Sequence, residues 1–319
     1  MLTVLKPGML TAVQDQGRFG FQKFGVPAAG AMDQRALAWA NLLAGNDPGE
    51  ACLEITALGP SLRFETPAAF ALTGGDFSAR LDGAPLLPYR AYSAPKGALL
   101  ELGAAKTGFR GYLAVNGGFD LPLVMGSRST YLKGGFGGLE GRALKAGDRL
   151  PLRGPQFWLP NLDRRAADPP PPPQPEQAVR IVAGPQNDCF TDQGMETLLA
   201  SVYTIGSSSD RMGYRLEGPA IQRAPGFDGN ILSDGVAMGS IQVPDGQPLV
   251  MMADRQTAGG YGKIAAVCSC DLPLLAQLRP GDALRFSLIS IAEAQELLRA
   301  DRRRTAALAD ELNRPEGLW

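Results

Sequence analysis

Asp168-Pro169-Pro170-Pro171-Pro172-Pro173-Gln174-Pro175 is the stretch on which the architecture turns. A proline has no N–H to give to a helix or a strand ladder, and its ring holds φ near about −65°. The run therefore reads as a stiff, exposed polyproline linker over residues 168–176; a long loop inside one domain is the alternative reading. As a linker it separates an N-terminal domain, 1–167, from a C-terminal one, 177–289, with a helical tail at 290–319. In a chain of 319 residues each half is long enough to bury its own core.

Both flanks read as strands. Ala283-Leu284-Arg285-Phe286-Ser287-Leu288 alternates polar and apolar residues, the period of a half-buried strand. Pro248 to Ala253, Lys263 to Cys268, Ala98 to Leu102 and Tyr112 to Val115 are short apolar runs that suit buried strands. The 40 glycines and 26 prolines keep such strands short. The halves echo each other: Lys145-Ala146-Gly147-Asp148-Arg149-Leu150 resembles Arg279-Pro280-Gly281-Asp282-Ala283-Leu284, each a turn feeding a strand. Leu58-Gly59-Pro60 likewise resembles Glu217-Gly218-Pro219. Two related β-rich bodies follow, rather than one sheet.

Three helices interrupt the strands. Asp33 caps one that runs to Leu43 and stops at Gly45-Asn46. A second begins near Asp192, with Met195, Leu198, Leu199 and Val202 on one face. The third opens with Ser290 and Glu293 at capping-box spacing and runs towards Asn313. Its charges leave only a thin apolar stripe, which suits packing outside a barrel or against a partner.

Composition removes several functions. There is no histidine, so Ser-His and Cys-His dyads, His-ligated zinc and histidine proton shuttles are excluded. Net charge is −1 without a basic stripe, against a nucleic-acid partner. No apolar run approaches the roughly 18 residues of a membrane span, and no signal-peptide pattern opens the chain. A cytoplasmic location is the expectation, with Cys52, Cys189, Cys268 and Cys270 as buried apolar thiols and no metal site.

The polar residues outside the periodic segments are the site candidates. Gln14-Asp15-Gln16-Gly17-Arg18 precedes Gly25-Val26-Pro27 and Gly30-Ala31-Met32-Asp33, although Asp15 also suits a turn and Asp33 a cap. In Gly126-Ser127-Arg128-Ser129-Thr130-Tyr131 an arginine among hydroxyls suits a carboxylate or other anion; equally, that arginine can pair with an internal acid. Gly134-Gly135-Phe136-Gly137-Gly138 lacks the Gly-Lys-Ser/Thr of a P-loop and fits a flap or a tight turn. Asp210 and Arg211 lie in turn-prone sequence, and Gln242 follows. Asp254-Arg255-Gln256-Thr257 and Tyr261-Gly262-Lys263 come just past a buried strand, where loops usually hold functional groups.

Five of these blocks, Gln14 to Arg18, Gly25 to Asp33, Gly126 to Tyr131, Ser209 to Tyr214 and Ala253 to Lys263, together resemble the biotin-dependent carboxyltransferase family. It is also known as allophanate hydrolase subunit 2 or KipA-like, and includes the 5-oxoprolinase C subunit and the carboxyltransferase domain of urea carboxylase. The resemblance covers Met1 to about Phe286. It implies a mainly β (α+β) fold of two cyclophilin-like β-barrels with peripheral helices, and a site formed by loops from both.

The resemblance further implies one member of an assembly that hydrolyses ATP, with Mg, to open 5-oxoproline to glutamate. The implied partners are a KipI-like B subunit, and an A subunit as the third component; the single chain is expected to be inactive. None of the seven lysines follows a methionine, so no covalently bound biotin is expected. Two alternatives stand beside it: a carboxyltransferase acting on urea or a related amide with carrier-held biotin, and a regulator that binds a KipI-like kinase inhibitor. For lactam opening, Asp254, Arg255 and Lys263 are the expected catalytic group. Lys263 or Arg255 would face the charge that builds on the amide oxygen, and Asp254 would orient one of them. Asp254 paired with Arg255 or Arg211 as a loop brace is the other reading. Gln14, Asp15, Arg18, Arg128, Tyr131, Asp210, Arg211, Gln242, Gln256 and Tyr261 are the expected substrate-binding residues.

Overall fold

A computed structural model describes residues Met1–Arg314. The chain divides into two compact units. One takes Met1–Arg18, Ala29–Pro172 and the chain from Arg302 onward; the other takes Phe19–Ala28 and Pro173–Asp301. The changeover thus falls inside the proline run, whose residues 168–176 are exposed or half-buried and outside any helix.

In the first unit a five-stranded antiparallel sheet runs in the order Leu10–Gln14, Cys52–Thr56, Thr107–Val115, Ala68–Asp76, Arg90–Ala94. Leu2–Lys6, Ser61–Phe64 and Leu99–Glu101 form the middle of a six-stranded sheet. Apolar side chains of both sheets, among them Val4, Phe64 and Leu100 with Leu53, Phe70 and Leu113, form one cluster. Their neighbours in sequence, Ala71, Tyr112 and Ala114, belong instead to a second cluster with Leu37 and Leu43 of the helix Gln34–Leu43. Strands buried on both faces lose the polar half of the alternation, which is why they read as continuous apolar runs. Asp33 caps the helix as its sequence predicts, accepting the Ala36 N–H at 2.8 Å.

The second unit is a closed barrel. Its seven strands run Glu176–Ala183, Lys263–Val267, Ser240–Gln242, Leu249–Met251, Gly213–Glu217, Val202–Ile205, Ala283–Leu288, and the last pairs in parallel with the first. Closure leaves no unpaired edge. A two-stranded ribbon of Asn230–Gly235 and Ala258–Tyr261 lies outside the barrel ladder.

The two Gly-Asp turns match in detail. Asp148 accepts the Lys145 N–H at 2.7 Å and Asp282 the Arg279 N–H at 2.9 Å. Gly147 and Gly281 sit at φ of 90° and 93°, a region costly for a residue with a Cβ.

Three expectations are corrected. The helix near Asp192 ends at Ala200, buries only Gly194 and Leu198, and leaves Val202 to a strand. The tail helix, Ile291–Leu312, does open with the expected box, Ser290 and Glu293 exchanging bonds of 2.8 and 3.2 Å. Its last turns are not merely external, however: Leu308 and Leu312 are buried in the cluster with Leu37 and Trp39 of the first unit. Cys189 is half-buried, while the other three thiols are buried as expected.

Candidate functional site

In the first unit the strand Leu10–Gln14 delivers the Gln14 to Arg18 segment beside Ser127–Thr130. Asp15 spends its carboxylate inside this contact, accepting from the Ser127 and Ser129 hydroxyls at 2.6 and 2.5 Å, the Gly17 N–H at 2.8 Å and the Arg128 N–H at 2.5 Å. A carboxylate so fully met fixes a loop and has little left for a ligand. Gln14 donates to the Thr130 carbonyl, whereas its own buried Oε1 finds no hydrogen-bond partner. Arg18 is buried, donates to the Ser129 carbonyl and lies 4.9 Å from the Phe136 ring.

Arg128 takes the internal-acid alternative. Its guanidinium donates to the Leu121 carbonyl at 2.8 Å and lies 3.5 Å from Glu50, which also pairs with Arg153. Glu50 is the residue that sequence reasoning missed, because nothing near it in sequence marks a partner 78 residues away. Tyr131 packs its ring against Phe136 at 5.5 Å. The glycine-dense stretch is a packed turn and not a cradle: a Cβ on Gly137 would collide with the Ser129 carbonyl, and one on Gly138 with the Thr130 hydroxyl.

In the second unit Arg211 grips Asp254 with two parallel bonds of 3.0 and 2.9 Å, both side chains buried. Asp254 therefore has the brace geometry that the sequence left open, and its carboxylate does not reach for a free ligand. Arg255 gives its fork to the Val236 and Met252 carbonyls. Burial lowers its affinity for a proton, an effect the adjacent Asp254 partly offsets. Asp210 is an exposed turn former that accepts the Met212 and Gly213 N–H groups.

Lys263 differs from all of these. It opens a barrel strand, is 3% exposed, and its ammonium has no hydrogen-bond partner among the described residues. The nearest acid is Asp234 of the ribbon, at 4.0 Å. An ammonium carries three donors, and burying them unmet is costly, so an acceptor is expected there. Gln242, its register partner on the adjacent strand, is fully buried and loosely held: its amide lies 3.4 Å from the Tyr261 carbonyl and 3.4 Å from Gln256. Tyr261 itself is exposed. Lys263, Gln242, Gln256, Tyr261 and Asp234 thus form a candidate cluster in which the glutamine amides make only long hydrogen bonds and the Lys263 ammonium makes none. Asp234 lay in a polar segment of the sequence but was not among the expected site residues; its approach to Lys263 is visible only in the fold.

No helix among the described residues is long and apolar enough to cross a membrane. The same residues contain no set of three His, Cys, Asp or Glu side chains able to hold a metal ion.

The chain is 42% identical over 300 residues to the 5-oxoprolinase C subunit of Escherichia coli, spanning 92% of this chain and 93% of that protein. It is 36% identical to the 5-oxoprolinase C subunit of Haemophilus influenzae, over 98% of both. The crystal structure of the K. lactis urea amidolyase superposes with a TM-score of 0.89 at 31% identity, covering 96% of this chain and 20% of that one. The family described as carboxyltransferase domain, subdomain A and B, matches residues 24–288, and the chain belongs to that family.

Proposed function

We propose that this chain is the C subunit of an ATP-dependent 5-oxoprolinase, which opens 5-oxoproline to glutamate together with a KipI-like partner and a third component. The observation that carries this reading is the near end-to-end likeness to two proteins of that name. The buried, unmet Lys263 ammonium agrees with it. Opening the lactam breaks its C–N bond; water supplies the new carboxyl oxygen, and the released nitrogen gains a proton. Negative charge builds on the amide oxygen on the way. A fixed cation beside substrate oxygens stabilises that state, and losing one such group costs typically ~3 kcal/mol. Lys263 is the catalytic candidate, with Gln242, Gln256 and Tyr261 as its binding neighbours. Asp254, Arg211 and Arg255 act as positioning residues beneath them.

The glycine-rich turn is not a phosphate cradle: Gly137 and Gly138 pack directly against the Ser129 carbonyl and the Thr130 hydroxyl. The nucleotide is accordingly assigned to the assembled complex in the cytoplasm, and the single chain is catalytically silent. An assay of 5-oxoproline-dependent ATP hydrolysis, with and without the co-encoded partners, tests both points. Turnover is expected only from the full set; turnover by the lone chain, or none by the set, refutes the reading. A second reading, carboxyl transfer to urea from carrier-held biotin, has the urea amidolyase superposition in its favour. It predicts urea-dependent turnover in the presence of a biotinylated carrier.

A further inference from the structure

The ribbon of Asn230–Gly235 and Ala258–Tyr261 is weakly held. Five of the six residues in Asn230–Gly235 are exposed, and Leu232 is 94% exposed. The strand pairs only with Ala258–Tyr261, and its register slips between Asn230 and Asp234. The barrel strand Lys263–Val267, in contrast, is paired on both sides. Strands with exposed hydrogen bonds and few apolar contacts open at far lower cost than barrel strands.

Asp234 hangs from this ribbon over the Lys263 ammonium. At 4.0 Å it is attracted but makes no hydrogen bond, since charge-assisted bonds form at about 2.7–2.9 Å. Its side chain is 66% exposed, so water receives it when it leaves, whereas Lys263 at 4% has nowhere to go. The ammonium is thus held near one carboxylate and bonded to none.

We propose that Asp234 is a latch: its carboxylate oxygen holds the place of the ligand's amide oxygen beside Lys263, and the ribbon withdraws it when that oxygen bonds to Lys263. The inference rests on Lys263 being a substrate-binding group. An incoming ligand oxygen that reaches hydrogen-bond distance meets the unspent ammonium better than Asp234 does at 4.0 Å. Gln242, loosely held beside Lys263, is free to turn its amide to the same ligand. A latch closed about ten times in eleven weakens apparent affinity about tenfold.

The test uses the complete assembly carrying Asp234→Asn or Asp234→Glu, read by 5-oxoproline kinetics and by amine labelling of Lys263 followed by mass spectrometry. Asp234→Asn is expected to lower KM about tenfold, more than it changes kcat, and Asp234→Glu to return KM towards the parent value. Lys263 should label faster in Asp234→Asn, and 5-oxoproline should slow that labelling. A raised or unchanged KM identifies Asp234 as a plain structural partner and overturns the latch. If the parent assembly does not turn over 5-oxoproline, the functional reading fails instead. The labelling arm then decides the latch alone: faster labelling in Asp234→Asn supports it, and equal labelling overturns it.

Discussion

Two substitutions at neighbouring positions separate brace from site at the scale of single residues. Asp254→Asn leaves the Arg211 guanidinium buried with its fork half met, and breaking such a pair costs about 3–5 kcal/mol. A clear fall in melting temperature is expected, and calorimetry of the variant checks it. Lys263→Met removes an ammonium that has no bond to lose, and puts a side chain of similar length in a buried place. It should melt no lower than the parent and lose turnover in the assembled enzyme by orders of magnitude; a large loss of stability would reassign Lys263 to the brace. The sequence left Asp254 between two arginines and could go no further. Which arginine wins depends on the loops that bring residues 211 and 254 together, and no local pattern encodes that meeting. Lys263 could be picked out as a candidate, yet its burial and the approach of Asp234 from a separate ribbon appear only once the chain is folded.

Caps and turns were legible because their chemistry is local. Asp33, Ser290 with Glu293, and the two Gly-Asp turns each satisfy backbone groups within three residues, so spacing alone announces them. Asp33→Ala should cost about 1 kcal/mol, read as a lower urea midpoint with an unchanged slope. The Asp148 turn adds a pH dependence. The Arg142 guanidinium, bonded to Asp148, holds its carboxyl below the ordinary 3.8. Stability from this contact is present above that value and is lost as pH falls through the lower folded value, so an Asp148→Asn variant should differ from the parent at pH 7 and converge with it in strong acid. The helix at Asp192–Ala200 was overextended for a matching reason. Val202 keeps the helical period of Leu198 and Leu199, but the chain is already in a barrel strand paired with Ala283–Leu288.

At the scale of the whole molecule, the proline run marked the changeover between units, whereas two exchanges across it were invisible. Phe19–Ala28 counts with the second unit, and the chain from Arg302 with the first. Nothing in composition signals either exchange; each is a matter of which core a segment finally meets. Arg165 illustrates the tail's role, donating to the Leu42, Leu43 and Leu312 carbonyls from a buried place. The Arg164-Arg165 pair, an apparent protease target beside the linker, should therefore resist trypsin after Arg165 in the native chain. Leu308→Ala should destabilise the first unit by about 2–5 kcal/mol and expose that bond, as digestion before and after mild heating would reveal. The placement of Leu308 and Leu312 also bears on how the protein is made. Leu37 and Trp39 leave the ribosome long before Leu308 and Leu312, two of the side chains that share their cluster. The N-terminal unit therefore lacks part of its packing until residue 312 has left the ribosome. Ribosome-bound nascent chains ending before residue 308 should therefore engage chaperones with the N-terminal unit still protease-sensitive, and that sensitivity should vanish in chains long enough for residue 312 to have emerged.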